Sequence, residues 1–418
     1  MDASSKKTAF ALIVMGLGAL GGGGVASADD MGPVIGELRV EGNARTQTDV
    51  ILRAAEVSPG SHYAEDLPDR VRQRVYNLRV FDTVAVLPER HGDAVDLMIH
   101  VTERWTLLPI PFASASGDIY RVGAFLVDSN FIGRHKTAVA GGYYGNHGSG
   151  GFIYYQDPEL NGTQWQTTLQ ASYFGAVRER FQSGMSVDAF HERRAEAFWA
   201  IGYRIAHTVT LLPGWFITDV RLDAQGGYPM PTVGSGFLEG PTLTVDLDAS
   251  DFRLYFQAGV QNHLHFESSL AGAGAARSYL RVTDRFQAAT RLLWDHALIV
   301  QADFAYGTSA ALPDIFLLGG QTGSRGFHTQ GLWAQRMATA ALEYHVPVWR
   351  PSWGIWTVLG FVDAGALDGP SGRMGYVQPG AGFRMFLRQI ALPALGVDVA
   401  YSLDEHSLWL GVSAGLQL

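Results

Sequence analysis

Arg325 stands in "LLGGQTGSRGFHTQG" (residues 317–331), a stretch that holds Gly319, Gly320, Gly323 and Gly326, an aromatic, Phe327, two places after the arginine, and no acidic residue. A guanidinium offers five N–H donors and no acceptor, so its strong partners are carboxylates met at two oxygens at once. Two carboxylates follow on neighbouring extended segments. In "TAALEYHV" strand alternation puts Thr339, Ala341, Glu343 and His345 on one face and Leu342, Tyr344 and Val346 on the other. In "WTVLGFVDAG" it sets Phe361, Asp363 and Gly365 opposite Trp356, Val358 and Val362. A loop bent back over both strands would bring Arg325 to Glu343 and Asp363, with the glycines supplying the turns and Phe327 packing alongside. The chemistry is that of a fastening, not of a reaction. A solvated loop arginine is the alternative expectation.

Other candidate chemistry is thin. His100, His191 and His406 lie near acidic residues, yet no set of nucleophile, base and orienting group accompanies them. "HERR" (191–194) is expected at a polar turn, and "HLH" (263–265) gives a same-face pair on a strand, too few ligands for a metal site. The chain has no cysteine, which removes disulfides and thiolate metal sites, and no Gly-x-x-x-x-Gly-Lys-Ser/Thr loop for a nucleotide. We therefore expect no enzyme activity, no cofactor and no metal. The formal charge of −9 becomes −10 once Asp2, Lys6 and Lys7 are set aside, and such a polyanion has no basic stripe for nucleic acid.

These residues need elements to hold them, and the composition says which. Fifty glycines, 10 Trp, 16 Tyr and 22 Phe accompany only 17% charged residues, unusual for a soluble protein. Lys6 and Lys7 precede an apolar run from Ala9 to Leu20 and the triplet Ala26-Ser27-Ala28, the layout of a cleaved export signal over residues 1–28. That run is too short for the roughly 20 residues a membrane helix needs. Glycine and aromatics behind an export signal point to an all-β transmembrane barrel over 105–418, with a soluble sandwich or propeller as the alternative. Segments of about ten alternating residues recur there, among them "RVGAFLVD", "TAVAGGYYG", "GGFIYYQ", "QTTLQASYFG", "AFWAIGYRIA" and "LIVQADFAYG". Asn161-Gly162 signals a hairpin turn, and "GNHGSGG" (145–151) and "AGAGA" (272–276) read as loops. Seventeen candidate strands are one too many if both barrel ends lie on one side of the membrane. Trp215 to Gln225, between Leu211-Leu212-Pro213-Gly214 and Pro229 and Pro231, is assigned to a long external loop. About sixteen antiparallel strands remain, with the Arg325 loop after the eleventh. Carboxylates on a lipid-facing midplane would be costly, so Glu343 and Asp363 are placed inside.

Residues 33–104 read as a separate α+β domain in β-α-α-β-β order. "VIGELRVEGN" alternates like a strand, "TQTD" (46–49) fits a capping box, and Leu67, Val71, Val75 and Leu78 mark a second helix behind Asp66 and Pro68. "FDTVAVLPE" and "AVDLMIHVTE" alternate again around the turn Arg90-His91-Gly92-Asp93. A three-stranded sheet this small keeps an open edge, able to accept an extended chain as an added strand.

Both ends of the barrel look poor at pairing. Pro109 and Pro111 are two apart, so their missing amide hydrogens share one strand edge, which we expect to face the terminal strand "LWLGVSAGLQL", itself loosened by Gly411 and Gly415. The alternative places both prolines in the linker.

The first domain's "V-x-G-N" (Val40, Gly42, Asn43), "L-x-x-F-D-x-V" (Leu78, Phe81, Asp82, Val84) and "V-x-E" (Val101, Glu103) together resemble a polypeptide-transport-associated (POTRA) domain. "GG-x-x-x-S-R-G-F" resembles the lid-loop motif of the BamA/TamA-type outer-membrane assembly and two-partner-secretion transporter superfamily, which includes the bacterial surface antigens. "F-V-D-A-G" resembles its inner-wall partner and "G-A-G-F-R" (380–384), ending in Arg384, the following strand. The resemblance covers essentially the whole chain after the signal. It implies that Arg325 docks on Asp363, that Ser324 stands where many members have valine, and that Leu418 stands where members usually have an aromatic. One POTRA domain is present where BamA-like members carry several. The implied function is outer-membrane protein assembly or polypeptide translocation, with unfolded clients, outer-membrane lipid and periplasmic accessory proteins as partners. A passive porin-like channel is the alternative.

Overall fold

The structure is a computed structural model and describes residues 33–116, 119–182, 185–228, 234–388 and 393–414. The expected signal segment, Gly415 and Leu418 lie outside the described residues.

The small domain runs β1 (Val34–Glu41), α1 (Thr48–Ala55), α2 (Leu67–Tyr76), β2 (Phe81–His91) and β3 (Ala94–Glu103), the order expected. Its sheet is ordered β1-β3-β2, so β3 is central and reads as the most regular alternation, with Val95, Leu97, Ile99 and Val101 buried. These pack against Ile51 and Ala55 of α1 and Leu67, Val71 and Val75 of α2. The expected capping box does not form. Gln47 is the N-cap of α1 without a side-chain bond, because Thr46 is drawn away: its N–H donates to Glu103 at 2.6 Å and its hydroxyl accepts from Asn130 at 2.8 Å. The same Glu103 carboxylate accepts the Arg45 N–H, so the closing motif of the domain fixes the loop after β1.

The remaining strands close a barrel. In chain order they are β4 (Leu107–Ser116), β5 (Ile119–Phe131), β6 (Lys136–Gly145), β7 (Gly148–Asp157), β8 (Trp165–Gln182) and β9 (Met185–Ala206). Next come β10 (Val209–Ala224), β11 (Gly236–Arg253), β12 (Phe256–Ser269), β13 (Tyr279–Arg291) and β14 (Ala297–Gly307). Two short strands, β15 (Phe316–Leu318) and β16 (Leu332–Ala334), pair with each other inside the next loop. The barrel resumes with β17 (Arg336–Trp349), β18 (Gly354–Gly369), β19 (Gly372–Leu387), β20 (Pro393–Ser402) and β21 (Ser407–Ala414). Sixteen antiparallel strands are thus joined in a ring, with β21 meeting β4 and the Arg325 loop after the eleventh. The outward face is apolar, with Leu342, Tyr344, Val358 and Val362 exposed, as a wall in lipid requires.

The count of sixteen holds with a different membership. Trp215 to Ala224 belongs to β10, not to a loop. Pro213 is tolerated because its missing amide falls where the ladder to β9 lapses, between Leu211↔Tyr203 and Gly214↔Ala200. Strands as long as β9, with 22 residues, exceed the roughly ten of a simple membrane span, so alternation alone divides them wrongly. "HERR" is not at a turn either. It lies within β9, where Glu192 is buried between Arg178 at 2.8 Å and Arg194 at 2.9 Å, so the charges compensate one another on the inner wall. "GNHGSGG" shrinks to a two-residue connection, Asn146-His147, because Gly148 to Gly151 enter β7. A side chain on Gly148, at φ 138°, would collide with the Gly175 carbonyl.

The small domain sits against the turns at one end of the barrel. Arg45 bonds Asp128 at 2.6 Å, the Gln47 N–H donates to the Gly133 carbonyl at 2.9 Å, and Arg53 reaches Glu159 at 3.0 Å. Farther round, Asn77 donates to Asp251 at 3.1 Å and accepts the Phe252 N–H at 3.0 Å. The connection to β4 is three residues long. Arg104 is buried there, bonded to the Tyr76 hydroxyl and lying over the Phe252 ring.

Candidate functional site: a loop fastened inside the barrel

Residues 308–335 join β14 to β17 and fold back into the lumen. The β15–β16 ladder makes the base, from Phe316↔Ala334 to Leu318↔Leu332. Beyond it the chain reverses at Gly319 (φ 115°), Gly320 (φ 72°) and Gly323 (φ 87°), conformations that L side chains rarely adopt. Ser324, almost fully buried, closes the turn: its hydroxyl accepts the Gly319 N–H at 3.1 Å and its backbone N–H donates to the Gln321 carbonyl at 2.8 Å. A hydroxyl at this position therefore has a partner inside the loop.

This turn aims Arg325 at the wall. Alternation on β17 and β18 turns Glu343, Phe361 and Asp363 inward. Nε of Arg325 donates to Oδ2 of Asp363 at 2.9 Å and Nη2 to Oδ1 at 2.6 Å, a two-oxygen clasp. Nη1 donates to Oε1 of Glu343 at 2.8 Å, and the Arg325 backbone N–H adds a bond to Asp363 at 3.1 Å. The guanidinium lies 3.5 Å from the centre of the Phe361 ring, stacked on its face. Arg325 is only 6% exposed, so it is not a solvated loop residue. His345 Nε2 approaches the second oxygen of Glu343 at 2.8 Å, so the carboxylate is bonded at both oxygens.

Gly326 and Phe327 complete the fit. The Gly326 N–H donates to Gln378 Oε1 at 2.9 Å, and a Cβ on Gly326 would meet the same amide at 2.7 Å. Phe327 meets the Tyr376 ring edge to face at 4.9 Å, among Leu318, Leu332 and Leu367. The Tyr376 hydroxyl donates to the Gly323 carbonyl at 2.6 Å. Gly365 makes room for that tyrosine, since a Cβ there would lie 2.5 Å from the ring. Arg384 is on the same inner wall but does not join the clasp: it is held by both oxygens of Asp398, at 2.8 and 2.7 Å.

Gln378 and Tyr376 were missed from sequence. They alternate with Arg384 and Gly380 on the inner face of β19, and extending the parity used for β17 and β18 by one strand would have found them. Between the loop and the wall of β8, β9, β13 and β14 remains a cavity of roughly 600 Å³, lined by Arg178, Glu192, Arg194, Glu196, Arg281 and Asp303 among others. The histidine pair of "HLH" faces separate partners, His263 to Asp246 and His265 to Thr244. Among the described residues no group of three or more potential ligands could hold a metal ion.

At the closing junction β21 and β4 pair from Gly411↔Ser116 to Ala414↔Ala113 among the described residues. Pro109 and Pro111 lie within β4, not in a linker. The Ser129 N–H donates to the Thr106 carbonyl, so even-numbered positions of β4 turn their peptide groups toward β5, and those of Pro109 and Pro111 turn toward the β21 side. Gly411 opens the described pairing.

Residues 130–385 match the model of the Omp85 superfamily domain, and residues 33–104 match the surface antigen variable number repeat, a POTRA unit. Among solved structures the chain is similar to BamA from Haemophilus ducreyi lacking POTRA domains 1-3, with 14% identity, a TM-score of 0.57, and coverage of 91% of this chain and 84% of that one. CdiB from Acinetobacter baumannii has 13% identity, a TM-score of 0.61, and coverage of 92% and 74%. CdiB from Escherichia coli has 11% identity, a TM-score of 0.64, and coverage of 92% and 77%. At these identities the likeness concerns the fold. No curated protein matches in sequence.

Proposed function

The chain belongs to the Omp85 superfamily, and from that membership we propose that it handles polypeptides at the outer membrane, its periplasmic domain capturing extended clients and its barrel inserting or exporting them. Family and fold support outer-membrane protein insertion or secretion in general. The observation that carries the finer reading is the closing junction. An edge of β4 that lacks two amide donors, at Pro109 and Pro111, makes β21–β4 the place where the wall parts most readily, exposing strand edges in the plane of the bilayer. β2 supplies the first capture point. Among the described residues it pairs with β3 alone, while the outer edge of β1 is partly covered by the Val34↔His62 bridge. The clasp of Arg325 on Asp363 and Glu343 keeps the lumen occupied until a client is engaged. Client folding supplies the driving force.

Reconstitution into liposomes tests this. Folding of added barrel clients supports insertion, and transfer of a soluble passenger supports secretion. Steady ion current with neither would overturn the reading in favour of a passive channel.

A further inference from the structure

The loop does more than rest on the wall next to it. In the ring, β19, β20 and β21 lie on one side of the closing junction and β4, β5 and onward to β8 on the other. Arg325 and Gly326 are bound to β17, β18 and β19, on the β21 side. Two residues later the His328 ring meets Trp409 of β21 edge to face, with centroids 4.4 Å apart and planes at 74°. The same imidazole stacks on Phe181 of β8, at 3.8 Å and 13°. From here the chain is bonded to the other side. The Phe181 N–H donates to the Gly331 carbonyl at 2.9 Å, and the Gln330 side-chain oxygen accepts from Arg178 of β8 and, at 3.5 Å, from Arg121 of β5. Gln330 has φ 56°, a left-handed conformation without glycine. It is held by its N–H to the Gly319 carbonyl at 3.1 Å and by Trp333 Nε1 to its own carbonyl at 3.2 Å.

We propose that residues 326–331 are an internal strap across the closing junction, with His328 gripping β21 through Trp409 and Gln330 and Gly331 gripping β5 and β8. This deepens the reading above, since it rests on a junction that parts. β21 cannot move away from β4 while the His328–Trp409 contact and the bonds to Arg178 and Phe181 all persist. Releasing the strap and parting the wall are therefore one event. The strap holds the junction closed at rest. His328 and Gln330 act as positioning residues and touch no client.

Amide hydrogen exchange on the full chain in detergent micelles reads this without any client. His328→Ala and Trp409→Ala should each speed exchange of Ser407–Ala414 and Ala113–Ser116 by about threefold to tenfold, the effect of removing one edge-to-face aromatic pair. The Arg325 end of the loop, 319–327, should keep its protection. Unchanged exchange at the junction in both variants would overturn the proposal. Because the chain has no cysteine, His328→Cys combined with Trp409→Cys can be bridged by a short bis-maleimide. The bridge should slow junction exchange below that of the unmodified chain, and no slowing would again count against the strap. If exchange responds as expected but liposomes show neither client folding nor passenger transfer, the strap stands and the translocation reading falls. If clients fold but exchange does not respond, the reverse holds.

Discussion

Arg325 is the most heavily bonded side chain of the loop, and its partners differ in what they contribute. Asp363 meets it with both oxygens and also takes the backbone N–H, whereas Glu343 gives one oxygen and shares itself with His345. Arg325→Ala leaves two carboxylates facing each other without a cation, at a cost of about 3–5 kcal/mol, less where lumen water reaches them. In a double-mutant cycle Arg325→Ala and Asp363→Ala should couple by about 1–3 kcal/mol, measured as urea stability of the refolded barrel. Additive effects would mean that the two do not interact. Arg325→Lys should lose nearly as much as alanine, because an ammonium cannot place donors on three carboxylate oxygens while stacking on Phe361. Gly365→Ala tests the second layer. The added methyl collides with Tyr376, so the hydroxyl bond to Gly323 should break and protection of amides 319–324 should fall, although residue 365 touches none of them.

At the scale of elements, the small domain is coupled to the barrel through backbone as much as through charge. Gly133 has φ 72°, and a Cβ there would collide with the Arg45 carbonyl. Gly133→Ala should therefore unseat the loop 43–47 and make the connection 104–106 cleavable by protease, while the barrel keeps its resistance. Unchanged cleavage would show that the contact is incidental. The elements were legible to the degree that they obey one period. β3, β17 and β18 bury one face throughout, so alternation fixed their sides and with them Glu343, Phe361 and Asp363. Reading failed where a residue serves a neighbour distant in sequence. Thr46 looks like a helix cap and instead bonds Asn130, 84 positions on, and the charges of "HERR" look like a turn because their compensation comes from Arg178 on another strand. β10 was lost because proline and glycine normally end strands, and only the lapse in its ladder to β9 reveals why they do not here. His328 was illegible for a related reason: its partners Trp409 and Phe181 come from the last strand and from β8, which only closure brings near.

For the whole molecule, a lumen filled by the loop predicts little passage at rest. The intact chain in planar bilayers should show small, infrequent currents, and Arg325→Ala should raise mean conductance several-fold. A wide, steady conductance in the intact chain would contradict the closed arrangement. The ring itself carries a further consequence. All but one of its strand neighbours are consecutive in the barrel, most of them simple hairpins, whereas the pairing of Ala113–Ser116 with Gly411–Ala414 joins residues almost 300 apart. Closing so long a loop costs on the order of 5 kcal/mol of chain entropy, and each hairpin far less. Sheet growth can zip from turn to turn, but joining the two ends must wait for nearly the entire polypeptide. Biogenesis of this protein therefore passes through a curled, unclosed sheet with two bare margins, so its own maturation needs the same kind of edge protection that it is proposed to give to others.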